Sequence, residues 1–286
     1  MALIDGKKIA NEIYENLAVE VKELHDKHTL QPKLAVIMVG DNPASLSYIK
    51  QKRKACDKTG IEWVQFDYDE KLTQLELLAK IEELNNDNSI HGILVQLPLP
   101  EHFEVPKVIR AIDPHKDVDG FTAYNLGKMF LGTEFEDLPP CTPAGVIKML
   151  EYYDINPEGM DATIVGASNI VGKPLATMLL NRGATPTICH IKTKDLKKHT
   201  LNADLLCVAV GRAGLISEDM VKDGAVVIDI GVNRKDDGKL CGDCDFETIE
   251  PKASYITPVP GGAGPMTVAC LMENTVKAAK RLNNIS

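Results

Sequence analysis

The stretch TIVGASNIVGKP, residues 163–174, decides the fold. The apolar run ATIV stops at Gly166, a turn passes through Ala167 and Ser168, and a helix-forming segment follows from Gly172. A strand that turns into a helix through glycine leaves backbone N–H groups and the positive end of the helix dipole free for a phosphate, and lets the backbone approach it. The spacing is not the common G-x-G-x-x-G, because the second glycine is Gly172, yet TPTICH, residues 185–190, stands where a second strand belongs. The pattern predicts a dinucleotide-binding unit.

The end of that second strand bears on which dinucleotide. NAD sites usually carry Asp or Glu there for the ribose hydroxyls, a charge that repels a 2′-phosphate. Here the text is CHIKTKD, with His190, Ile191, Lys192 and Lys194 and no acid before Asp195. NADP is expected rather than NAD; lysines that merely face water are the alternative.

Outward from this turn, LLCVAVG (205–211) and AVVIDIGV (225–232) read as further buried strands, and 143–153 and 171–182 as helices. Upstream, LAVIMVG (34–40) is a short β-branched run stopped by glycine, followed by a helix at 45–59, a strand near 62–68, a helix at 73–86 opening at Thr73, and a strand from Gly92. Strands alternating with helices predict parallel sheets. Between 98 and 142 prolines and turn residues thicken, which suggests a boundary. The expected class is α/β: an N-terminal α/β domain (1–140), a Rossmann-type domain (141–264), a last helix (265–286) packing back on the first, and a ligand cleft between the domains.

At 286 residues the chain is long enough for two domains. A formal net charge of -9 argues against general binding to nucleic acid or anionic membrane, so a small-molecule substrate is expected. No apolar run precedes a small-residue cleavage site near the start, and no stretch of about 18 apolar residues occurs, so a cytoplasmic protein is expected. The cysteines, at 56, 141, 189, 207, 241, 244 and 270, are scattered and read as reduced core thiols. Cys241 and Cys244 in CGDC have metal-ligand spacing but no matching second pair, and read as ordinary thiols on a turn or short strand.

SLSYIKQKRKAC, residues 45–56, is unexpectedly basic for an acidic chain. At about 100° per residue, Lys50 and Lys54 point away from Tyr48 with Arg53 at their flank, while Lys52 falls about 40° from Tyr48 on the side of Ala55 and Cys56. Lys52 either snorkels its ammonium to water or serves as a proton donor or acceptor.

SYIKQK, HGILVQLPLP, KDVDGF, GASNIVGKP and YITPVPGGAGPMT occur in this order. Together they closely resemble the bifunctional methylenetetrahydrofolate dehydrogenase/cyclohydrolase family, over the span from DGKKIA to the final helix. The resemblance implies tetrahydrofolate derivatives as substrates, oxidation of the methylene to the methenyl form with NADP, hydrolysis to 10-formyltetrahydrofolate, and a homodimer through the dinucleotide domain. The family's Tyr-x-x-x-Lys falls on Tyr48 and Lys52, its glutamine on Gln96 and its pterin-binding acid on Asp119. It also implies Pro258, Gly261 and Gly262 near folate and cofactor, and Val232 against the cofactor beside Gly166, Ala167, Ser168, Gly172, His190, Ile191 and Lys192. Many relatives carry Arg at the position of Ala167 and Ser or Arg at that of Ile191, so contacts to a 2′-phosphate fall to Ser168, His190 and Lys192 or Lys194.

Overall fold

The computed structural model describes residues 2–235 and 237–285. Its contacts divide into two compact units. Unit A is Asn11–Lys128, Glu136–Cys141 and Val268–Ser286; unit B is Met1–Ala10, Met129–Phe135 and Thr142–Thr267.

Unit A is built on a parallel sheet in the order β3 (Glu62–Tyr68), β2 (Lys33–Val39), β4 (Gly92–Val95). The middle strand β2 is buried from Leu34 to Val39, which is why its sequence is an unbroken apolar run. Helices α2 (Pro43–Thr59) and α3 (Gln74–Asn86) make the crossovers that parallel strands require. Helix α3 opens with a capping box: Thr73 Oγ1 accepts from the Glu76 N–H, and Glu76 Oε2 from the Thr73 N–H. Its Leu77, Ile81 and Leu84 bury in one cluster with Ala35, Ile37, Ile93 and Val95 of the sheet. Helices α4 (Val105–Ala111) and α5 (Ala123–Met129) follow β4, and α1 (Gly6–His28) and α10 (Ala263–Leu282) contribute most of their length.

Unit B carries a six-stranded parallel sheet of β1 (Ala2–Leu3), β5 (Asp161–Val165), β6 (Thr185–Cys189), β7 (Leu205–Val208), β8 (Val226–Asp229) and β11 (Tyr255–Ile256), in the order β1-β11-β8-β7-β5-β6. From β5 the chain runs outward to β6 and then returns to β7 on the other side, so the order reverses between β5 and β7. Ligands of doubly wound sheets bind at such a switch point, beyond the carboxyl ends of the strands. Helices α6 (Cys141–Tyr152), α7 (Gly172–Leu180), α8 (Leu196–Thr200) and α9 (Phe246–Ile249) complete the unit, with a separate hairpin of β9 (Asn233–Arg234) and β10 (Leu240–Cys241). Pro186 sits in β6, an edge strand, where the missing N–H costs least.

The structure departs from the sequence expectations at short elements. The turn-rich segment 98–142 holds α4 and α5, each seven residues and too short to show helical periodicity. Strands β1 and β11, of two residues each, carry no alternation. Helix α10 begins at Ala263 rather than at residue 265, which puts Pro265 inside the first turn, where its missing N–H has no partner to lose.

Candidate active site

In unit A, α2 presents Tyr48 and Lys52 one turn apart. The basic run splits as its periodicity requires: Lys50, Arg53 and Lys54 are exposed, whereas Lys52 is 7% exposed, with Ala55 and Cys56 buried on its side. Lys52 Nζ donates to Gln96 Oε1 at 3.0 Å. Gln96 stands just past β4, its backbone N–H donating to Ile37 O and its Nε2 to Leu97 O at 2.6 Å. With the amide nitrogen so engaged, the oxygen is the atom left for the lysine.

Asp119 follows a short extended stretch in which Asp117 pairs beside Ile93 of β4. The buried Asp117 carboxylate accepts from the Phe121 N–H at 3.2 Å, the Thr122 N–H at 2.7 Å and Asn125 Nδ2 at 3.0 Å, which ties the loop around Asp119. Lys116 Nζ, also buried, donates to the carbonyls of Leu84, Asn85 and Asp87 at the carboxyl end of α3, the end of a helix that favours a cation. Asn274 of α10 donates to Val118 O and Pro139 O, both at 2.9 Å, and holds the loop from the other side. Burial lifts the Asp119 carboxyl to about 6; Lys52 pulls it down and Asp117 pushes it up, so the lysine and both aspartates share one field. Burial also raises the Tyr48 hydroxyl, which keeps it a neutral donor, and raises the thiol of Cys141 beside Asp119.

In unit B the Gly-rich turn lies at the carboxyl end of β5. A Cβ on Gly166 would sit 2.3 Å from Ala209 O, and one on Gly172 1.9 Å from Gly166 O, so neither position admits another residue without a backbone shift. Ala167 is half-buried and Ser168 exposed. Ser168 Oγ accepts from the N–H groups of Val171 at 3.1 Å and Gly172 at 3.4 Å, which begins α7. Past β6, the His190 N–H donates to Thr193 Oγ1 at 2.8 Å, and His190 Nδ1 accepts from the Lys192 N–H at 3.1 Å. With Nδ1 an acceptor, the ring proton belongs on Nε2. Ile191 is 96% exposed, and Lys192 and Lys194 are exposed beside it.

Val232, 42% exposed, follows β8. Pro258, Gly261 and Gly262 form a tight turn after β11, with the Gly262 N–H on Pro258 O at 2.8 Å and Gly261 O accepting from the Lys7 N–H at 2.9 Å. The candidates thus fall into two groups: Tyr48, Lys52, Gln96 and Asp119 in unit A, and the glycine turn, the β6 end, Val232 and the 258–262 turn in unit B. Cys241 lies half-buried in β10 and Cys244 is buried, both as free thiols. Among the described residues no cluster of His, Cys, Asp or Glu could hold a metal ion, and no helix is long and apolar enough to cross a membrane.

Sequence reasoning missed Lys116, Asp117, Cys141 and Asn274 around Asp119, and the buried Asp229 and Asp243 of unit B. A signal existed for some: Asn274 interrupts the apolar face of α10, and Asp229 ends the apolar run AVVID. A polar group at a core position needs partners, and partners at such a place organise loops.

The catalytic-domain model of "Tetrahydrofolate dehydrogenase/cyclohydrolase" matches residues 4–119, and its NAD(P)-binding domain model matches residues 140–283. The chain is 54% identical over 280 residues to the bifunctional protein FolD of Nautilia profundicola, covering 98% of each. The crystal structure of the bifunctional FolD methylenetetrahydrofolate dehydrogenase/cyclohydrolase of Campylobacter jejuni superposes with a TM-score of 0.96 at 54% identity, covering 98% of this chain and 99% of that one. The Trypanosoma brucei enzyme, solved with NADP cofactor and an inhibitor, gives a TM-score of 0.94 at 34% identity, covering 98% of this chain and 97% of that one. With both halves matched and the fold shared, the chain belongs to the tetrahydrofolate dehydrogenase/cyclohydrolase family.

Proposed function

We propose that this protein oxidises 5,10-methylenetetrahydrofolate to 5,10-methenyltetrahydrofolate with NADP and hydrolyses the product to 10-formyltetrahydrofolate. The observation that carries the reading is the buried Lys52 ammonium on Gln96 Oε1 at 3.0 Å, in the same electrostatic field as Asp119. A buried lysine with one neutral partner and a carboxylate nearby is an expensive arrangement unless a ligand uses it.

At neutral pH Asp119, with its carboxyl at about 6, is mostly ionised and able to accept from the exocyclic amine and ring N–H of a pterin. Tyr48 offers an aromatic face to the folate rings and a neutral hydroxyl. Lys52, oriented by Gln96, moves a proton to or from the water that adds to the methenyl carbon.

The residues of unit B fit a dinucleotide: Gly166 and Gly172 leave no room for side chains where a pyrophosphate would approach, and α7 opens behind them. NADP, when bound, supplies the hydride acceptor. Ser168, His190 through Nε2–H, and Lys192 or Lys194 would hold its 2′-phosphate, and no acid opposes it before Asp195. The T. brucei relative was solved with NADP bound, which agrees with a 2′-phosphorylated cofactor. The reading includes a cytoplasmic homodimer formed through unit B.

The test is an absorbance time course of the purified protein with methylenetetrahydrofolate, with NADP in one cuvette and NAD in the other. Faster reduction of NADP, with 10-formyltetrahydrofolate as the end product, is expected. No reduction in either cuvette by folded protein overturns the reading; reduction without formyl product overturns its hydrolytic half.

A further inference from the structure

The CGDC segment matters for what lies between its cysteines. Asp243 is fully buried, and its carboxylate gathers three consecutive backbone N–H groups: Oδ2 accepts from Val210 at 2.7 Å and Gly211 at 3.1 Å, Oδ1 from Arg212 at 2.7 Å. Asn233 Nδ2 adds a fourth bond to Oδ1 at 2.8 Å. Asp229, 3% exposed at the end of β8, holds Asp243 in turn: its Oδ1 accepts from the N–H groups of Gly231 and Asp243, each at 3.0 Å, and its Oδ2 from Cys244 at 2.8 Å. Both carboxylates lie against bare backbone. A Cβ on Gly231 would fall 2.1 Å from Asp243 Cγ, and one on Gly242 1.8 Å from Asp229 Oδ2.

Val210–Arg212 is the loop that leaves β7 at the switch point, next to the strand whose end carries Gly166, whose Cβ position is closed by Ala209 O. One lip of the crevice is the glycine turn; the other is the loop that Asp243 grips. A cavity of about 570 Å³, lined in part by Asp229, Gly242, Thr257 and Pro258, opens beside the clamp. Apolar side chains would fill this space at less cost, since burial pushes the Asp229 carboxyl up to about 6 and a buried charge is poor stabilisation in itself.

We infer that Asp243, braced by Asp229, is a positioning residue for the dinucleotide, fixing Val210–Arg212 as a preformed wall of its crevice. The inference rests on the dinucleotide reading of unit B. Without the clamp the loop must be ordered at the moment of binding, and the cofactor's affinity falls by that cost.

The test is Asp243→Asn in the full chain. In either orientation the amide nitrogen faces N–H donors, so at least two of the four bonds are lost. The expected result is a rise in KM for NADP of about tenfold or more, with kcat at saturating NADP retained. Hydrolysis of methenyltetrahydrofolate, which needs no dinucleotide, is expected to stay within about twofold. A purely structural role lowers both activities by one factor and leaves the NADP KM of the folded fraction unchanged; that outcome overturns the inference. If Asp243→Asn does not fold, Asn233→Ala, which leaves the three backbone bonds, carries the test: an NADP KM raised about two- to fivefold supports the inference, and an unchanged one overturns it. A wild-type protein lacking either activity is a failure of the functional reading, seen before any variant is compared.

Discussion

Asp119→Asn should stabilise unit A while abolishing pterin recognition. Lifting a carboxyl from its ordinary value near 3.8 to about 6 costs about 3 kcal/mol in the ionised protein. Asp119 keeps partial exposure to water, which relieves some of this and leaves about 2 kcal/mol as the working figure. The sign follows from linkage: the folded value lies above the unfolded one, so the protein is undiminished below pH 4, loses stability as pH rises through 6, and carries the whole cost above it. The asparagine variant should therefore gain about 2 kcal/mol at pH 8, roughly half that at pH 5, and little below pH 4. The only tryptophan, Trp63, lies in β3 of unit A, so urea unfolding followed by its fluorescence reports this unit. A variant no more stable than wild type at pH 8, or a gain equal at pH 8 and pH 5, refutes the account. If the gain is seen, unit A holds an ionised carboxylate at the expense of stability, the usual sign of a group kept for binding.

Lys52→Gln should lower hydrolysis of methenyltetrahydrofolate by about a hundredfold or more while dehydrogenase activity survives, as rates on each substrate would show. Gln96→Ala removes the 3.0 Å partner of Lys52 and should cost the same step about ten- to a hundredfold, less than the lysine itself. Lys192→Asp should raise the KM for NADP far more than that for NAD; equal losses would remove this residue from the phosphate site. Gly172→Ala drives a Cβ to 1.9 Å from Gly166 O and should destabilise unit B by about 3 kcal/mol or more, with loss of dinucleotide binding in a titration.

Periodicity and glycine placement carried much of the fold. Lys52 could be told from Lys50 and Lys54 because a helix sorts residues by angle, and the burial of Lys52, Ala55 and Cys56 follows that sorting. The turn at Gly166 and Gly172 was legible because a strand, a glycine and a helix are local events. The partners were not. That Gln96 meets Lys52 across 44 positions, or that Asp243 reaches back to Val210, is a matter of tertiary folding that no local pattern encodes. The family motifs pointed to Gln96 and Asp119; Asp117, which holds the Asp119 loop, has no spacing of its own and emerges only from the hydrogen bonds it makes, while Asn274 shows in the sequence as a polar break in the apolar face of α10 but its partners do not.

Strand β1 also has a consequence for how the protein is made. Ala2 pairs with Tyr255, so the edge of the unit B sheet is closed by segments that lie far apart in the chain. Unit A is likewise completed by Val268–Ser286. At about 5–20 residues per second a ribosome needs on the order of tens of seconds to span that gap, during which β1 has emerged without β11, the strand it pairs with. Neither unit can be obtained by cutting the chain at its midpoint, since each half would lack a piece of its own unit. What waits longest in the nascent chain is therefore the pairing of β1 with β11 and the arrival of the last part of α10 in unit A, and a chaperone acting late in synthesis would have these to protect.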